Sequence, residues 1–311
     1  MKKRPKAKPN ARAKSKPKAK QDAPRHEEWT VKEHTEVLEF LFKVMPSKSR
    51  NAVKGILKRG QIVVNDKPTT QFDQVLKPRD HVQIRARVAS QSVKLKGVNI
   101  LHEDDDLIVI DKESGLLSMG SKQERQMTAY KQLMEYVQSI HANNRIFIVH
   151  RLDRDTSGVM IFARSKMIQQ RLQKAWTETV QERSYVALVE GIVKKDGTIT
   201  SWLTEDKTFM MHSSPKPNHG QKAITHYKVL KTNRRFSLLK VNLETGRKNQ
   251  IRVHMQELGH PIVGDKKYGS EINAINRLGL HANAIKFTHP SSGKVMRFES
   301  ETPSSFTRGF K

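Results

Sequence analysis

Residues 147–165 read FIVHRLDRDTSGVMIFARS. Six polar or charged side chains, His150, Arg151, Asp153, Arg154, Asp155 and Thr156, stand between two apolar stretches that resemble core strands. A hairpin needs only about two to five linking residues, so a loop this long and this charged is built for contacts. Arginines beside an aspartate favour its ionised form. An ionised carboxylate can act as a nucleophile, a base or a metal ligand. The same arginines repel a divalent cation, which makes metal binding the weakest of the three. Asp153 and Asp155 can equally serve only to fold the loop, as aspartates do in many turns. Residue types alone leave both readings open. Thr156 and Ser157 suit capping of the loop backbone, and Gly158 lets the next strand start without a side-chain clash.

The elements that must position this loop follow from apolar spacing. Strands are predicted at 147–149 and 159–163 on either side of it, and at 107–110, 184–189, 224–230 and 236–243. The run Asp104 to Asp106 reads as a solvated lead-in to the first of these. Helices are predicted over 128–140, 165–177 and 250–258, the last with Ile251, Met255 and Leu258 on one face. Ahead of this mixed region, residues 29–88 read as a small α+β unit. Val37, Leu38, Leu41, Phe42 and Met45 form a helical stripe. Ser49 then opens a second helix bearing Arg50, Lys54, Lys58 and Arg59, closed by Gly60. Strands at 61–64 and about 81–85 complete the unit, with a turn at Asn65-Asp66. Residues 89–98 read as a polar linker, and 99–311 as a second domain.

Charge narrows the function classes. The 311 residues carry 58 Lys and Arg against 31 acids, a net +27. A charge that large points to a polyanion, nucleic acid first and an acidic membrane second. Residues 1–28 hold eleven of the cations, no hydrophobic residue but alanine after Met1, and four prolines. Such a segment is expected to be disordered and to bind phosphates without specificity. The absence of cysteine excludes disulfides, thiol nucleophiles, Cys-ligated zinc and iron–sulfur clusters. No apolar run reaches the ~18 residues of a membrane span, and no secretory signal opens the chain. The expectation is a cytoplasmic protein facing RNA or DNA. His254 and His260 are poorly spaced for zinc, and the histidines read as nucleic-acid contacts or surface residues. Asp265 in GDKKYG reads as a turn-former.

Two resemblances sharpen this. SRNAVKGILKRGQIVVNDKPTT followed by VLKPRDHVQIRA resembles an S4-type RNA-binding domain. It implies that Arg50, Lys54, Lys58 and Arg59 lie against RNA phosphates. HRLDRDTSG resembles the catalytic loop of the RluA-type RNA pseudouridine synthases. DDLIVIDKESGLLSM, RSYVALVEG, LETGRKNQIRVHMQELGHPIVGDKKYG and LHANAIKFTHPSSGK resemble further segments of that family. The resemblance runs from about 99 to 300. The fold it implies is α+β, a mixed, mainly antiparallel sheet with flanking helices and a central cleft. The reaction it implies breaks the C1′–N1 bond of uridine, turns the uracil and rejoins it through C5, with no cofactor and no metal. Asp153 is the implied carboxylate at C1′, Arg252 its ion-pair partner and Tyr185 the residue under the base. Arg151 would fill the gap left by a flipped base, with His150 and Arg247 as further RNA contacts. The family usually has Thr or Ser and then His where this chain has Lys248 and Asn249, which weakens any role carried by that His. The substrate the resemblance implies is large-subunit ribosomal RNA, with transfer RNA as the enzymatic rival. A noncatalytic ribosome-assembly factor is the rival from another class. A monomer is expected.

Overall fold

The computed structural model describes residues 27–84, 94–120, 124–217 and 219–310. The chain divides into two compact units at Val88/Ala89. Most of the basic tail and residues 89–93 of the linker lie outside the described residues.

The first unit contains β1 (Glu27–Thr30), β2 (Thr35–Glu36), α1 (Val37–Val44), α2 (Arg50–Lys58), β3 (Ile62–Val64), β4 (Lys67–Thr69), β5 (Val75–Leu76) and β6 (His81–Ile84). Four of the strands form a sheet in the order β1-β6-β3-β4. Glu27 and Glu28, expected to belong to the tail, instead pair in β1 with Ile84 and Gln83 of β6. Ser49 caps α2 by accepting the Ala52 N–H at 3.2 Å. Asn65 and Asp66 both have positive φ, the backbone that a two-residue hairpin between β3 and β4 requires. Val37, Leu41, Met45, Val53, Ile56, Leu57 and Ile62 pack into one core. The helix stripe thus faces the sheet, and Arg50, Lys54 and Lys58 are left in water.

The second unit is built on an eleven-stranded sheet. Its strands are β7 (Val98–Glu103), β8 (Leu107–Lys112), β9 (Phe147–Ile148), β10 (Ser157–Ala163), β11 (Val180–Glu190), β12 (Gly197–Glu205), β13 (Met211–Ser214), β14 (Gln221–Thr232), β15 (Phe236–Leu243), β16 (Leu280–Thr288) and β17 (Val295–Glu299). The order along the main path is β13-β12-β14-β15-β11-β16-β10-β8-β7, with β9 on β10 and β17 on β16. The pairings are antiparallel except β10 with β16, which run parallel. The α-helices are α3 (Ala129–Ile140), α4 (Lys166–Lys174), α5 (Trp176–Thr179), α6 (Gln250–Glu257) and α7 (Ser304–Thr307).

β10 is buried along its whole length. Met160 and Phe162 face a core shared with Leu133 and Val137 of α3. Val159, Ile161 and Ala163 face another shared with Ile168 and Leu172 of α4. A strand buried on both faces reads as a continuous apolar run. β11 behaves alike, with Ala187 and Val189 packing with Ile251 and Met255 of α6. The catalytic-loop candidate therefore leads from β9 into the fully buried β10, and α6 lies on the face that carries Tyr185.

Three expectations change here. The run at 104–106 is not simply solvated. Asp104 accepts the N–H groups of Asp106 and Leu107, both at 2.8 Å, and bonds the His102 and His289 rings. The histidines are not uniformly surface groups. His254 is buried between Ser201 and Thr225, at 2.9 and 2.8 Å, and burial pushes its pKa down to about 4. The linker's last residues belong to the second unit, since Gln132 bonds both backbone groups of Lys96.

Candidate active site

The stretch Leu152–Asp155 is held mainly through its backbone, while the Asp153 side chain lines the cavity. Residues 112–118 supply most of the grip. Lys112 is fully buried, and its Nζ donates to the carbonyls of Glu113, Leu116 and Arg154 at 2.9, 2.7 and 2.9 Å. Burial pulls its pKa down from 10.5 to about 8, against the pull of Asp155 and Asp153. Ser118 Oγ donates to the Leu152 carbonyl at 2.7 Å and accepts the Leu152 N–H at 3.2 Å. Ser114 Oγ donates to the Asp155 carbonyl at 2.7 Å.

At the far end of the loop, Gly158 sits at φ +116°, where an added Cβ would lie 2.1 Å from the Ala282 carbonyl oxygen of β16. Only glycine permits that approach. Ser157 does not cap the loop backbone as expected. Its buried hydroxyl bonds His281 Nδ1 at 2.8 Å and accepts from Arg277 at 2.6 Å, tying the loop to β16.

Arg252 projects from α6 between two aspartates. Its Nε and Nη2 donate to Asp265 Oδ2 and Oδ1 at 2.7 and 2.8 Å. Its Nη1 donates to Asp153 Oδ2 at 3.3 Å and to Asn249 Oδ1 at 3.2 Å. The guanidinium also lies 4.9 Å from the Tyr268 ring centre. Burial is the largest single influence and opposes its charge, but the bonds and charges of Asp265 and Asp153 together outweigh it and raise its pKa above the ordinary value. The side chain of Asp265 is 1 % exposed, that of Arg252 13 % and that of Asp153 28 %. The gradient runs from a sealed anchor to a carboxylate that can meet a ligand.

Asp153, Arg252, Tyr185, Arg151 and Arg247 line one cavity of about 280 Å³, with Leu152, Leu243, Ile251 and Leu280 as apolar wall. Burial pushes the Tyr185 hydroxyl up to about 12, with the Asp153 charge adding to the rise. It stays protonated at neutral pH and offers a flat ring and an O–H. The cavity suits a planar, uncharged ring held beside a carboxylate.

Two expected contacts lie elsewhere. His150 turns into the fold, where its Nε2 accepts the Ile161 N–H at 3.1 Å and its ring meets Trp176 at 5.2 Å. Burial drives its pKa to about 4, so it carries no charge to offer a phosphate at neutral pH. Arg59 is half-buried and its Nε bonds Gln61 at 2.6 Å, unlike the exposed Arg50, Lys54 and Lys58.

The departing pair is accounted for. Asn249 adopts the left-handed backbone at φ 54°, donates to the Tyr268 hydroxyl at 2.9 Å and orients Arg252. Lys248 lines the cavity and pairs with Glu205. Asp265 does form the expected turn, accepting the Tyr268 N–H, but its larger duty toward Arg252 was not foreseen. The sequence signal was a lone acid followed by two lysines and an aromatic, which does not reveal a partner thirteen residues upstream.

A family model described as RNA pseudouridylate synthase matches residues 106–257. A protein of Neisseria meningitidis named ribosomal large subunit pseudouridine synthase D is 33 % identical over 279 residues, covering 85 % of this chain and 74 % of its own. The chain belongs to the RNA pseudouridylate synthase family. A Bacillus subtilis protein named uncharacterized RNA pseudouridine synthase YhcT is 32 % identical over 275 residues, covering 85 % of this chain and 90 % of its own. The solved structure of human RNA pseudouridylate synthase domain containing 4 matches with a TM-score of 0.55 at 23 % identity. It covers 67 % of this chain and 90 % of its own, a likeness of fold. As a family member the protein is an isomerase that converts uridine in RNA to pseudouridine.

Proposed function

We propose that this pseudouridine synthase acts on large-subunit ribosomal RNA in the cytoplasm, as a monomer, with Asp153 as the group that works at C1′. The observation that carries the chemistry is the convergence of Asp153, Arg252 and Tyr185 on one cavity. The ribosomal target is supported by the name of the Neisseria relative.

The target uridine swings out of its stack at a cost of about a few kcal/mol. The exposed Arg151, on the cavity rim, fills the gap, since a planar guanidinium stacks on bases and hydrogen-bonds their edges. Arg247, whose Nε is held by the Lys222 carbonyl at 3.0 Å, offers its remaining donors to a phosphate. The uracil lies on the Tyr185 ring with C1′ toward Asp153.

Both routes to the product begin with that carboxylate, by addition to C1′ or by removal of the C2′ proton as the C1′–N1 bond breaks. The freed uracil keeps its electron pair on nitrogen, turns, and bonds C1′ through C5, expelling the Asp153 carboxylate in the first route and with the proton returned to C2′ in the second. The C5 proton leaves and N1 regains one, so nothing is oxidised and no water is consumed. Arg252, already gripped by Asp265, steadies Asp153 without closing over it. In the first unit, the exposed Arg50, Lys54 and Lys58 at successive turns of α2 provide an S4-like phosphate contact.

The test uses large-subunit ribosomal and transfer RNA transcripts carrying tritium at uridine C5. Tritium release is expected from the ribosomal transcript with the native protein, and none with Asp153→Asn, which binds the same transcript equally well at matched salt. Product from Asp153→Asn in single turnovers would remove Asp153 from this role. Release from the transfer RNA alone would overturn the ribosomal target.

A further inference from the structure

The loop between β12 and β13 holds a bulky apolar residue in water by construction. Phe209 is 68 % exposed and sits at φ 62°, a costly left-handed backbone for a residue of its shape. The loop is not slack. One carboxylate oxygen of Asp206 accepts from Thr208 N, Thr208 Oγ1 and Met210 N at 2.8, 2.7 and 2.9 Å, and the other bonds His212 at 2.8 Å. The Phe209 N–H returns to the Asp206 carbonyl at 3.0 Å.

The loop is also fastened to the active site. Lys267 Nζ donates to the Phe209 carbonyl at 2.9 Å, and Lys248 Nζ reaches the same oxygen at 3.5 Å. Lys248 also pairs with Glu205, at the end of β12, and its ammonium lies 5.4 Å from the Phe209 ring centre. Lys248 lines the Asp153 cavity. Lys267 stands two residues from Asp265. The exposed ring therefore stands beside Lys248, which lines the cavity, while Lys267 holds its backbone.

A strained and pinned aromatic beside lysines suits stacking on an unpaired base whose phosphate meets the cations. We propose that Phe209 is a stacking platform for a nucleobase next to the flipped uridine, and that Lys248 couples this platform to the cavity. This goes beyond the isomerisation site and requires only that the bound ligand is RNA. It also gives Lys248 a function that Thr or Ser at that position lacks the reach and charge to perform.

The experiment has two readouts. Tritium release from the ribosomal transcript is followed for the native protein and for Phe209→Ala, Phe209→Leu and Phe209→Tyr. The expected result is a KM raised by about tenfold in the alanine and leucine variants, with kcat little changed and KM restored by tyrosine. Equal KM values for leucine and tyrosine would overturn the proposal, because they separate apolar bulk from an aromatic face. The second readout does not depend on which RNA is the substrate. In Phe209→Trp, the added indole emission is expected to be quenched by oligouridylate and not by an abasic sugar–phosphate strand of the same length. Equal quenching by both strands would assign the site to phosphate alone and overturn base stacking. If the transcript releases no tritium with any variant, the ribosomal reading fails while the quenching still decides the fate of the platform.

Discussion

Replacing Asp265 by Asn isolates the hold on Arg252 from Asp153, the carboxylate proposed to react. The change keeps size and shape but removes a charge whose side chain is 1 % exposed. Asp265 now accepts from both Nε and Nη2 of Arg252. An amide can accept only one of these bonds, and its NH₂ faces the other as donor against donor. A charge-assisted bond contributes about 1.5–3 kcal/mol, and breaking a buried pair on one side costs about 3–5 kcal/mol. Since one bond survives and Asp153 remains near, about 3 kcal/mol is expected. That lowers the melting temperature by roughly 6–12 °C in a unit of this size.

The kinetic consequence is separate. With its anchor gone, the guanidinium turns further onto Asp153, 3.3 Å away in the native arrangement, and takes up lone pairs that the substrate needs. A displacement of about an ångström at a reacting group can cost about 10²-fold in rate. The expected result is kcat down by about that factor, measured as single-turnover tritium release well below the lowered melting temperature, with RNA affinity little changed. A variant that melts earlier yet turns over at the native rate would refute the reasoning. It would show that Arg252 aims Asp153 without help from Asp265.

Gly158→Ala and Gly115→Ala form a matched pair. Both positions have positive φ, but an added Cβ meets the Ala282 carbonyl oxygen at 2.1 Å in the first and nothing within 4 Å in the second. The first is expected to lose about 4 kcal/mol or more and the second about 1–2 kcal/mol in denaturant titration; similar midpoints would contradict the close approach of β10 to β16. Lys112 predicts opposite pH trends for activity and stability. Below about 8 it is charged in both the folded and the unfolded chain, and its buried charge is a standing cost. Between about 8 and 10.5 the unfolded chain holds the extra proton, so this group's contribution to stability rises with pH. Over the same range the neutral amine has two N–H donors for three carbonyls, so the loop loosens and kcat is expected to fall. A flat rate profile through pH 9 would exclude the clamp as a determinant of turnover.

The parts of this protein that were legible in the sequence are those where local pattern and tertiary fate coincide. β10 is buried on both faces, so its apolar run needed no partner to be recognised. Ser49, the α2 cations and the Asn65-Asp66 turn are likewise local signals. β16 was harder. Its sequence LHANAIKFT has weak strand propensity, yet it lies between β11 and β10 and is largely buried. β12, GTITSWLTE, hides its alternation behind small hydroxyl residues, because Ser201 is buried to meet His254. At the site, charge between apolar strands marks the loop as anomalous, and the family resemblance singles out Asp153 within it. Lys112, Ser118, Asp265 and Arg277 carry no such mark, since each acts on a backbone or a side chain distant in the chain. His150 misled for the complementary reason. A histidine in a basic loop looks like a phosphate contact, and only the inward turn of its ring onto Ile161 and Trp176 shows otherwise.

The two aspartates around Arg252 divide a task that one residue could not perform. A carboxylate that fully satisfies a buried guanidinium is spent, because its lone pairs are committed and its approach is closed. A carboxylate left without any partner in the cavity would have nothing to fix its direction. Asp265 resolves the first conflict by taking two short bonds in a sealed setting, so that Arg252 remains charged and fixed. Asp153 then feels the guanidinium at a longer 3.3 Å through one oxygen. Its position on a loop tied by Lys112, Ser118 and Ser157 removes the freedom that such a loose contact would otherwise allow. Rigidity is thus supplied to Asp153 through its backbone and electrostatic support through a third party. That separation lets a single carboxylate be held and open at once.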